Sequence, residues 1–154
     1  MIVVIVSFAL LGLLCAELAW IDLRYGIIPD WLNLAIAGLG LTKAIILGGP
    51  LSGLEVACEG AAIGAIFWLL RRLYFAFRNI QGLGLGDVKF LAAAGTWVGV
   101  AGLPMLLLVA ALTALVSAGI MQLSGSKLTR QTSLPFGPFL AIGLLVALAF
   151  QLQR

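Results

Sequence analysis

Polar residues in this chain are islands between long apolar runs, not one face of an amphipathic repeat. The first apolar run covers about residues 2–21, is interrupted by Ser7 and Glu17, and stops at Asp22-Leu23-Arg24-Tyr25-Gly26. A second follows Pro29-Asp30 over about 31–47, and a Gly-Gly-Pro turn at 48–50 leads into a third, about 53–70, that ends at Arg71-Arg72. After Gly82-Leu83-Gly84-Leu85-Gly86-Asp87 the chain stays apolar over 88–123, too long for one helix. Gly99, Gly102 and Pro104 predict a turn inside that stretch. A polar loop at 124–133 and the segment Leu134-Pro135-Phe136-Gly137-Pro138 then precede a last run of about 139–152. The pattern predicts six helices, two of them short.

Composition identifies the solvent of those helices. The 154 residues are 63% apolar and 10% charged, with a mean hydropathy of +1.20, against about 45–50% and about 25% in soluble domains. A soluble globular domain is excluded. The expected fold is all-α, a polytopic membrane protein with about six transmembrane helices in a single domain over 1–154. Seven basic residues (Arg24, Arg71, Arg72, Arg78, Lys89, Lys127, Arg130) fall on one side of this layout, and Arg154 with, marginally, Lys43 on the other. Such an asymmetry marks the cytoplasmic side and predicts both termini outside. It gives no reason to expect nucleic acid as a partner. The two cysteines, Cys15 and Cys58, lie near opposite faces of the bilayer and are expected to be free, buried thiols. The amino-terminal run lacks a basic n-region and stays apolar past Cys15, so it reads as a retained span and not as a signal peptide.

With no histidine in the sequence, chemistry falls to the carboxylates. Within a span an acid costs roughly 2.5–3.5 kcal/mol on insertion scales, so each needs a partner, water or a task. Glu55 and Glu59 are one turn apart, and folding the chain about 48–50 predicts a cluster with Lys43, most simply a structural ion pair. Glu17 fits equally well as an interior polar residue or as a snorkelling acid. Asp22 and Asp87 differ from these, because each sits where an apolar helix meets the cytoplasmic interface. Two facing carboxylates repel when both are ionised, so one takes a proton. The anion then activates a water while the acid polarises a carbonyl. Gly82, Gly84 and Gly86 would let the backbone before Asp87 run extended beside a peptide. A flexible glycine-rich helix start with an interfacial aspartate explains the same residues without chemistry.

Gly84-Leu85-Gly86-Asp87, continued by Val88-Lys89-Phe90-Leu91, resembles the GxGD signature of intramembrane aspartyl proteases in the form found in prepilin peptidases. The segment 21–30, Ile-Asp-Leu-Arg-Tyr-Gly-Ile-Ile-Pro-Asp, resembles that family's first aspartate motif, and Leu134-Pro135-Phe136-Gly137-Pro138-Phe139-Leu140 its late PFGPFL element. The resemblance implies that Asp22 and Asp87 are the catalytic pair, with Gly84, Gly86, Lys89, Asp30 and Arg24 supporting the site or binding substrate. It implies a prepilin or pseudopilin substrate with a short basic leader, cleaved on the cytoplasmic side of the inner membrane. The lipid bilayer and a pilus or secretion assembly machinery are the further partners. No metal and no cofactor are expected. Longer members of the family carry an added region with paired CxxC motifs and also methylate the new amino terminus. This sequence lacks such motifs and looks like the short forms associated with Flp-type pili, or like stand-alone archaeal preflagellin peptidases, with the form Ile-Asp-Leu-Arg-Tyr-Gly-Ile-Ile-Pro-Asp favouring the first, so peptidase activity without methylation is expected. A small proton-coupled transporter using Glu17, Glu55 and Glu59, or a non-catalytic scaffold subunit, are the competing expectations.

Overall fold

The computed structural model describes residues 2–78, 84–123 and 135–153. Gly82, Leu83, the polar loop at 124–133, Leu134 and Arg154 lie outside the described residues. Four helices follow one another: α1 (Ile2–Tyr25), α2 (Asp30–Arg78), α3 (Leu85–Leu123) and α4 (Gly137–Leu152). Among the described residues there is no strand. The fold is all-α, as expected. α1, α2 and α3 are long and apolar enough to cross a membrane, and α4 is a shorter apolar helix.

Two of the four helices are broken at a single glycine. Gly49 in α2 (φ 82°, ψ −178°) and Gly99 in α3 (φ 64°, ψ −174°) share a backbone conformation essentially reserved for glycine. Pro50 then starts the second arm of α2, where a missing N–H costs nothing. In α2 the arms fold back on each other: Gly40 from one and Gly60 from the other both face Thr96 of α3. The arms of α3 do the same. Its Asp87 end lies near Asp22 and Gly137, while Ile120 and Met121 line a groove with Phe139, so both ends of α3 converge on the start of α4. The six expected helices therefore correspond to two single helices and two hairpins of helix.

The first arm of α3 is the centre of the bundle. Ala93 to Val98 are all buried, with α2 on one side of α3 and α4 on the other, while α1 packs on α2 and α4. Small residues let the backbones approach. A Cβ at Gly95 would stand 2.9 Å from Gly60 of α2, and one at Gly143 would run into the Leu106 carbonyl of the second arm. Breaking α3 at Gly99 removes helical partners from nearby carbonyls. That of Val98 accepts instead from Gln151 Nε2 of α4, at 2.8 Å. Trp97 Nε1 likewise donates to the Ile36 carbonyl at 2.9 Å, tying α3 to the first arm of α2.

Two expectations need correction here, and one left open is decided. No ion pair joins Lys43 to Glu55 or Glu59 among the described residues. The Lys43 ammonium lies 4.6 Å from the Trp97 ring centre and 5.4 Å from that of Phe8, where ring quadrupoles stabilise the cation. Glu55 is exposed, and the Glu59 carboxylate comes up to the break at Gly99. Cys15 is buried and free as expected, but Cys58, also free, is exposed, because the helix turns that face outward. Glu17 also faces outward, which leaves the snorkelling alternative.

Candidate active site

Asp22 occupies the end of a narrow seam along α1. Ser7, Leu11, Cys15, Leu18 and Asp22 are its buried residues, spaced three or four apart, so the seam that packs against the bundle also carries Asp22 inward. One turn later α1 stops at Gly26, whose φ of 66° and N–H bond to the Asp22 carbonyl (2.8 Å) form a left-handed C-cap. The chain then crosses to Asp30, the first residue of α2.

Asp87 lies in the first turn of α3, and its carboxyl turns back onto the backbone of Gly84. The two glycines of Gly84-Leu85-Gly86-Asp87 have separate tasks. A Cβ at Gly84 would sit 3.0 Å from Asp87 Oδ2, and one at Gly86 would sit 3.0 Å from Cβ of Ile28. Gly84 leaves room for the carboxyl, and Gly86 lets the loop after Asp22 lie against the start of α3. Leu85 and Gly86 already belong to α3, so the expected extended backbone does not hold there, and Gly82 lies outside the described residues.

The fold brings Asp22 close enough to Asp87 for its charge to act on the Asp87 carboxyl. Asp22 is 5% exposed, and its Oδ2 accepts the N–H of Gly137, the first residue of α4, at 2.7 Å. Helix N-termini present unpaired N–H groups and a positive dipole end, both suited to a carboxylate. A Cβ at Gly137 would stand 2.7 Å from that same oxygen. Gly137 therefore belongs to the site, although only its place in Pro-Phe-Gly-Pro marks it in the sequence.

The other candidates gather beside the pair or away from it. Lys89 does not reach either aspartate but grips Asp30, with Nζ 2.7 Å from both carboxylate oxygens. This exposed ion pair ties the start of α2 to the first turns of α3. Arg24 stays exposed on the last turn of α1, its guanidinium 5.9 Å from the Tyr25 ring centre. No group of three or more potential metal ligands occurs among the described residues. Two carboxyl groups at the mouth of an apolar bundle, one held by a helix N-terminus and one by the backbone before it, form an arrangement capable of activating a water against a carbonyl.

Comparison with known proteins agrees with this picture. The family model of the type IV leader peptidase family matches residues 8–119. The prepilin leader peptidase/N-methyltransferase of Burkholderia pseudomallei (strain 1026b) is 37% identical over 94% of this chain and 47% of its own length. Proteins of the same description from Dickeya chrysanthemi and Escherichia coli (strain K12) are 41% and 37% identical, over 88% and 86% of this chain and 49% and 58% of their own. The chain thus spans about half the length of these relatives. No solved structure matches it significantly. With matching residues from α1 to the second arm of α3, the chain belongs to the type IV leader peptidase family.

Proposed function

We propose that the protein is an integral-membrane aspartyl peptidase that removes the leader of a type IV prepilin or pseudopilin at the cytoplasmic face of the inner membrane. The observation that carries this reading is the convergence of Asp22 and Asp87, 65 positions apart in the chain, at one end of the bundle. Family membership and the names of the relatives supply the substrate class. The excess of basic residues at that end supports a cytoplasmic site, with six spans and both termini outside.

One carboxyl of the pair is protonated and the other ionised. The anion takes a proton from a water whose oxygen attacks the scissile carbonyl carbon, while the acid donates to the carbonyl oxygen. The tetrahedral intermediate then collapses: the C–N bond breaks, the carboxyl that took the water proton passes one to the departing amine, and the other carboxylate takes back a proton from a hydroxyl of the intermediate as the new carboxyl group forms. The Gly137 N–H takes one lone pair of Asp22 Oδ2 and holds the carboxyl in place, which leaves Oδ1 and the second lone pair of Oδ2 for the water or the carbonyl.

The proposal is cleavage without N-methylation, since in the resemblance methyl transfer accompanies paired CxxC motifs and this sequence carries only Cys15 and Cys58. The transporter alternative has less support: Glu17 and Glu55 face outward and Glu59 lies at the Gly99 break, so the three form no continuous path. The test is cleavage of a prepilin by the purified protein in liposomes containing a metal chelator. Wild type should cut, Asp22→Asn and Asp87→Asn should each lose at least about 10²-fold while remaining folded, and mass spectrometry should find an unmethylated product. Normal cleavage by either folded variant would refute the pair.

A further inference from the structure

A groove of about 500 Å³ opens between the two arms of α2, with the first arm of α3 as its floor. The Asp30–Lys89 ion pair stands at its mouth, and Ala37, Ala57, Gly60, Ala61 and Ala92 line it. One wall residue does not fit an empty apolar groove. Asn33, one turn inward from Asp30, is 5% exposed, and both its amide oxygen and its amide nitrogen lack a hydrogen-bond partner among the described residues. An amide in that position is costly unless something supplies both a donor and an acceptor.

We propose that this groove seats the apolar helix of the substrate, with Asn33 as its polar anchor; the inference rests on reading the protein as a leader peptidase. A small-residue lining lets a second helix backbone come close. Most of a helix hides its own N–H and C=O groups, but its first turn leaves N–H groups free, and an extended segment before it leaves carbonyls free as well. A substrate that changes from extended leader to apolar helix presents both at the depth of Asn33, whose buried amide turns toward the groove to meet them, the oxygen accepting and the nitrogen donating. A lipid chain presents neither. At the mouth, the exposed Asp30–Lys89 pair stands where the substrate helix enters. From Lys89 the scissile segment has only to round the start of α3, where Gly84 and Gly86 carry no side chain, to reach Asp87 on the opposite face.

The test compares two synthetic substrates in liposomes. Both have the same basic leader and cut site; one continues into a full apolar helix, and the other stops a few residues past the cut. For the long substrate, Asn33→Leu should raise KM at least about tenfold with kcat within about twofold, and for the short one it should change nothing. Its melting temperature should not fall, because leucine needs no partner, whereas loss of a purely structural residue would lower it. Ala61→Trp, which fills the groove from the other wall, should act on the long substrate in the same way, and Leu108→Trp in the groove beside Phe150, at the end of α4 away from Gly137, should not. An unchanged KM in both groove variants means that lipid or a second copy of the chain fills the groove, and this overturns the proposal while leaving the peptidase reading intact. Equal losses on both substrates also overturn it. Failure of wild type to cut either substrate removes the peptidase reading itself.

Discussion

The Asp22 carboxylate and the backbone N–H of Gly137 meet at 2.7 Å across 115 positions of sequence. This bond joins the end of α1 to the start of α4 and fixes how the Asp22 carboxyl is oriented.

Gly137→Ala tests that relationship. The new Cβ would stand 2.7 Å from Asp22 Oδ2 and 3.0 and 3.1 Å from its Cγ and Cβ. Rotation of the side chain does not move its Cβ, so the end of α1 and the start of α4 must separate slightly, and stability should fall as the carboxylate is displaced. A displacement of about an ångström can cost about 10²-fold in rate. We expect a loss of that order in kcat with KM little changed, and a melting temperature below wild type.

Gly84 and Gly86 should fail in different ways. Alanine at 84 presses on the Asp87 carboxyl at 3.0 Å, and alanine at 86 presses on the Ile28 side chain at 3.0 Å. The first should lower kcat about 10-fold or more with normal stability. The second displaces the loop between Asp22 and Asp30, so activity and melting temperature should fall together, and thermal unfolding alongside cleavage assays separates the two.

The Asp30–Lys89 pair is exposed, with side chains 73% and 46% accessible, and such pairs contribute only about 0–1 kcal/mol. Lys89→Met should shift unfolding by no more than that. Cleavage should fall several-fold and not vanish, and the exchange of charges in Asp30→Lys with Lys89→Asp should recover the stability.

Gly49→Ala and Gly99→Ala should each destabilise by about 1–3 kcal/mol, because both residues sit in a backbone region that side chains avoid. Gly99→Ala should be the worse of the two. Its Cβ would also meet the Glu59 carboxylate at 2.6 Å, whereas nothing lies within 4 Å at Gly49. Equilibrium unfolding in detergent measures the difference, and Glu59→Ala should narrow it.

Much of this molecule is written locally. Long apolar runs make helices and exclude water as their solvent, and the breaks at Gly49 and Gly99 fall inside the stretches where the sequence places turns, because a turn needs a particular backbone conformation that few residues allow. The spacing from Ser7 to Asp22 defines a seam that must face the bundle. Asp22 and Asp87 stand out because a carboxylate beside an apolar run is costly without a reason. Tertiary structure decided what sequence separation conceals. Lys43 settled on Phe8 and Trp97 instead of on Glu55 and Glu59, because helix rotation brought aromatic faces to it. Lys89 turned to Asp30 and away from Asp87, two residues along a helix being nearly opposite faces. The role of Gly137 depends on a backbone N–H, which every residue but proline carries and which no residue name distinguishes. Local chemistry chose the elements and the reactive groups; the contacts that orient those groups arise only when α1, α3 and α4 meet.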